Sequence, residues 1–168
     1  MADPDELRRK NPLGPTGATV AANVKRLRTK HGLAFTELSA RLADLGRPIP
    51  PLGLRKIESQ DRRVDADDLM ALAVALGANP NALLFPPSAS GRHILTLTAA
   101  GMKTANTAWD WANGKAPLDH SSVPDGIPPD HRADYAKAFF ESNTDPKAQD
   151  WTSGPNIDIV QAADDGDD

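Results

Sequence analysis

The feature that most constrains this chain is the break at Gly46, Pro48 and Pro50, inside the stretch Leu33 to Arg63 (LAFTELSARLADLGRPIPPLGLRKIESQDRR). A proline inside a helix lacks the N–H that the ladder needs and clashes with the preceding turn, so no single helix crosses this region. On either side the apolar spacing is helical. Leu38 and Leu42 stand one turn apart in a segment over about Phe35 to Ala43, and Leu54 and Ile57 share a face over about Pro51 to Ser59. Two short amphipathic helices at a sharp angle cannot bury their apolar faces alone, so flanking helices must close over them. A helix-turn-helix satisfies this, and its second helix is shaped for the DNA major groove.

The flanks supply those helices. Val20, Val24 and Leu27 make an apolar stripe over about Thr19 to Lys30, which Gly32 ends. Asp65 caps a helix lined by Leu69, Leu72, Ala73 and Leu76 and stopped at Gly77, with Asp67 and Asp68 suiting the positive end of its dipole. Asn79-Pro80 opens a last short helix with Leu83, Leu84 and Phe85, and Pro86-Pro87 closes the segment.

This order, with Gly32-Leu33, Glu37-Leu38, Ile57-Glu58 and Ala75-Leu76-Gly77 as punctuation, resembles the XRE-type helix-turn-helix family, the group of the phage lambda and 434 repressors and Cro. The resemblance covers about residues 19–85 and implies a five-helix repressor-like domain that binds double-stranded DNA, commonly as a homodimer. It also implies a structural ion pair between Arg28 and Glu58. Three departures stand out. Asp44 to Pro48 lengthens a turn that is short in the family, and Phe35 occupies a place where relatives carry a phosphate-binding glutamine. The recognition helix opens Pro50-Pro51-Leu52-Gly53, with almost no side-chain donors.

Base reading is therefore expected from Arg55 and Lys56, which can address guanine O6 and N7, with Leu52 against a thymine methyl. Phosphates are expected at Thr36, Arg47, Arg62 and Arg63. Net charge, −4 overall, does not oppose this once it is partitioned. Residues 16–64 carry ten Lys and Arg against four Asp and Glu, a net of +6, whereas 143–168 carry one Lys against seven Asp. The competing view makes Leu52 and its prolines an apolar surface for a protein partner, as in an antitoxin or adaptor that reuses the fold without reading bases.

The expected fold class is all-α. Residues 1–15 form a flexible leader, with Arg8-Arg9-Lys10 a candidate phosphate-brushing arm, and 16–87 the helix-turn-helix domain. Residues 88–142 form a mainly helical extension, and 143–168 an acidic disordered tail. The extension holds a short strand candidate (His93 to Thr98), a helix from Thr104 to Gly114 with Trp109 and Trp111, and an amphipathic helix over Pro129 to Ser142 with Tyr135, Ala136 and Phe139 on one face. The tryptophan segment either docks on the helical domain, makes a dimer contact or lines a ligand pocket. The 129–142 helix either caps the bundle, pairs with its own copy or serves a partner. The tail is either a solubilising segment or an autoinhibitory competitor for the basic face.

No catalytic, metal or cofactor residues are expected. His31, His93, His120 and His131 show no HExxH and no helical ligand pair, and Asp119-His120-Ser121 lies in a Pro/Gly-rich loop. No phosphate-cradling glycine loop occurs, and cysteine is absent. Without a run of about 18 apolar residues or a signal-type leader, the chain reads as cytoplasmic, with no membrane partner.

Overall fold

The computed structural model describes residues 13–88, 90–119 and 123–144. The arm at Arg8 to Lys10, most of the leader and the acidic tail from 145 onward lie outside them. Helix α1 runs Pro15–Lys30, α2 Phe35–Asp44, α3 Pro51–Glu58, α4 Ala66–Ala75 and α5 Pro80–Leu84.

The first helix begins at Pro15 rather than at the expected Thr19. Pro15 fits the first helical position, where no N–H is needed. Gly17 then leaves room for Leu13 to fold back, because a Cβ there would sit 2.6 Å from Leu13 Cδ1. Asp65 and Asn79 cap α4 and α5 through side-chain oxygens that accept from Asp68 N and Ala82 N. The apolar stripes meet in one core. Val24, Leu38, Leu42, Leu54, Ile57, Leu72 and Leu83 are all completely buried there. Burying a side chain of this size contributes roughly 1.5–3 kcal/mol, so the core outweighs any single polar contact.

The expectation of an all-α chain is overturned by an antiparallel hairpin, β1 Ile94–Leu97 and β2 Gly101–Thr104. Ile94 pairs with Thr104 and Leu97 with Gly101. Leu95 and Leu97 face inward while Ile94 and Thr96 face out, which is the period-2 alternation of a half-buried strand. The second strand, Gly-Met-Lys-Thr, carries no such pattern and forms because β1 offers it a partner. The hairpin is tied to the start of α1 by a reciprocal pair of bonds: Thr98 N donates to Thr16 Oγ1 at 3.0 Å, and Thr16 N to Thr98 Oγ1 at 3.3 Å.

Thr104 caps helix α6, Ala105–Ala112. Ala108 is fully buried beside Phe85, Leu95 and Leu97 in a second apolar cluster, and Trp109 meets Phe85 edge-on at 6.3 Å. Both Trp109 and Trp111 remain about two-fifths exposed. These elements, through Leu118, form one compact unit.

The residues from Asp119 form a second unit. Its described part contains a 3-10 turn at Pro129–His131 and helix α7, Arg132–Ser142. The Arg132 guanidinium donates to the carbonyls of Val123 and Pro124, which holds the helix to its preceding loop. Tyr135 and Phe139 stack at 6.3 Å, and Ala136 is buried. No helix among the described residues is long and apolar enough to cross a membrane.

Candidate functional site

The candidate surface is built by α2, the lengthened turn and α3. Helix α2 ends where Gly46, at φ +79°, lets the chain reverse so that Arg47 N reaches Leu42 O at 3.0 Å. The turn is anchored rather than loose. Ile49 is 1% exposed, and Ser39 Oγ donates to its carbonyl at 2.8 Å. Pro51 then opens α3 at its first position.

Two interactions fix the orientation of α3. Leu54 and Ile57 bury its inner face completely. At its end Glu58 accepts from Arg28 Nε at 2.6 Å and Nη2 at 2.9 Å, while Arg28 Nη1 donates to Leu33 O. The bond to Glu58 holds the Arg28 guanidinium above its ordinary pKa against the opposing effect of burial. Fork-to-fork geometry of this kind fixes direction as well as distance. Past Glu58, Gln60 takes the left-handed φ of +67° that a glycine would normally fill, and Asp61 N closes on Lys56 O at 2.8 Å.

What remains outward on α3 is a face at helical spacing: Leu52, Arg55, Lys56 and Ser59. Leu52 is 64% exposed. The Arg55 guanidinium lies 5.2 Å from the Phe35 ring centroid, and Arg28 lies over the same ring at 4.0 Å. Phe35 therefore keeps Arg55 beside the start of α2 by cation–π attraction. Thr36 is exposed in that same first turn. Ala34 supplies no side-chain cap, and Glu37 accepts from Ala34 N at 2.6 Å.

The four expected phosphate residues do not share one environment. Arg47 and Arg62 converge instead on the start of α4. Arg47 Nε donates to Asp68 Oδ1 at 2.9 Å and its Nη2 to Asp65, while Arg62 Nη2 donates to Asp68 Oδ2 at 2.6 Å. The bond to Asp68 raises the Arg47 pKa despite desolvation. Asp68 is 2% exposed, so both cations satisfy a buried carboxylate. Both side chains stay partly exposed beside it. Arg63 is exposed just after them.

Three residues that sequence reasoning missed make this arrangement work. Gly53 is one, since a Cβ there would lie 2.8 Å from Arg62 Nη1; the bare backbone lets Arg62 cross the first turn of α3 to reach Asp68. Asp68 is another, read from the sequence only as a favourable first-turn acid. Asn23 is the third. It is 1% exposed, its Nδ2 donates to the carbonyls of Leu83 and Phe85, and its Oδ1 accepts from Arg26 Nε. A polar residue inside the apolar stripe of α1 was the available signal for Asn23. For Gly53, a glycine within a helix was the clue. No family model, curated protein or solved structure matches this chain.

Proposed function

We propose that the chain is a cytoplasmic, sequence-specific DNA-binding transcriptional regulator, without enzymatic activity, acting as a homodimer on a two-fold operator. Helix α3 enters the major groove. Arg55 and Lys56 read base edges, Leu52 contacts a thymine methyl, and Thr36 and Arg63 engage phosphates. The single observation that carries this reading is the outer face of α3. Two cations and one apolar side chain lie at helical spacing on a helix whose inner face and far end are fixed by Leu54, Ile57 and the Arg28–Glu58 pair. A helix held this firmly but presenting long cationic side chains is suited to a groove of fixed width.

A second reading is favoured by one feature. Pro50, Pro51 and the 64%-exposed Leu52 give the start of α3 an apolar tip, which suits a protein partner in an adaptor or antitoxin role. Titration of a duplex at increasing salt separates the two. Groove binding gives an affinity that falls log-linearly with salt, by about 0.9 per phosphate neutralised. In that case Arg55→Ala removes discrimination between specific and random duplex. Absence of duplex binding at low salt supports the protein-partner reading.

A further inference from the structure

A cleft of about 350 Å³ opens where α1, the end of α5, the loop after Phe85 and the start of α6 meet. Its volume is that of a small-molecule site. The walls are mainly apolar, with Phe85, Pro86, Leu95 and Trp109 among the lining residues, and Phe85 and Trp109 already stand edge-to-face. Among the described residues, Arg26 is the only charged one of the lining, and no carboxylate lines the cleft.

The guanidinium of Arg26 is not loosely hung. Asn23, fully buried and bonded to the carbonyls of Leu83 and Phe85, accepts from Arg26 Nε at 3.0 Å. That bond leaves the two terminal amino groups of Arg26 without a partner among the described residues. The result is a pre-oriented fork of donors at one side of an aromatic-walled cleft. An uncompensated cation beside apolar rings favours a ligand that brings both an anionic oxygen pair and a flat apolar body.

We propose that this cleft binds a small planar aromatic carboxylate, with the carboxylate on Arg26 and the ring against Trp109 and Phe85. Asn23 is its positioning residue. The site lies apart from the outer face of α3 and does not depend on whether that face reads DNA.

The test titrates the full chain with 2-naphthoate and, separately, with the uncharged 2-naphthamide, by calorimetry and by the indole N–H resonance of Trp109. Expected is saturable binding of the acid that shifts the Trp109 resonance. The amide should bind at least about tenfold more weakly, and Arg26→Gln should weaken the acid by a similar factor. Equal binding of acid and amide to the unaltered chain overturns the proposal without any variant, as does absence of saturation. Unchanged acid binding by a folded Arg26→Gln chain overturns it as well.

Discussion

The start of α4 and the outer face of α3 use the same kind of side chain to opposite ends. Around α4, Arg47 and Arg62 are drawn inward to Asp68, with Asp65 and Asp67 closing on Arg47. On α3, Arg55 has an aromatic ring for company, and neither it nor Lys56 makes an ion pair with a described residue. The first region holds the scaffold together, and the second is the face that the proposed base reading would use. The difference lies in what each cation can reach. Gly53 opens a path to Asp68 for Arg62, whereas among the described residues no carboxylate pairs with Arg55 or Lys56.

Breaking the inner region should have the largest effect. Asp68→Ala removes the buried acceptor that the partly exposed guanidinium groups of Arg47 and Arg62 share, and it should cost about 1.5–3 kcal/mol of stability. Urea denaturation reads this directly, and a loss under 1 kcal/mol would mean that the arginines find water at no cost. Next in size is Arg55→Ala, expected to leave stability within about 0.5 kcal/mol. It should cost about 1–3 kcal/mol of discrimination between a preferred and a random duplex. A comparable fall in melting temperature for both variants would erase the distinction between the regions.

Phe35→Leu sharpens the comparison further. The core neighbours keep an apolar side chain, but Arg55 loses a contact worth about 0.5–1 kcal/mol, so duplex discrimination should fall by a few-fold. The smallest effect expected is a gain. Gln60→Gly relieves a left-handed backbone at the end of α3 and should add roughly 0.5–1 kcal/mol with unchanged duplex affinity. Chemical denaturation together with a duplex titration checks both halves.

Local pattern made the five helices legible. The stripes Val20–Val24–Leu27, Leu38–Leu42 and Leu54–Ile57 are all buried, and the caps at Asp65 and Asn79 form as side-chain bonds. The hairpin was half legible. Ile94 to Leu97 alternates, but its partner Gly101 to Thr104 has no apolar period and owes its strand to a neighbour. The clamp around Asp68 escaped for a related reason. Its partners are 21 and 6 residues away on other elements, and no spacing rule connects them.

That oversight also changes the charge reasoning. The +6 of residues 16–64 falls to +3 once the window reaches Asp68, because Asp65, Asp67 and Asp68 follow at once. A basic segment is therefore a weaker sign of a nucleic-acid surface here than the direction in which Arg55 and Lys56 are turned. Counting charge along a chain cannot tell a clamped arginine from an outward one.

The central claim is that α3 reads sequence through its outer face, and selection from a randomised duplex pool tests it most directly. The full chain should enrich a two-fold symmetric consensus, and Arg55→Ala should flatten that consensus at one position in each half while still retaining duplex. Failure of the full chain to enrich any sequence, or an identical consensus from Arg55→Ala and Lys56→Ala, would contradict the account.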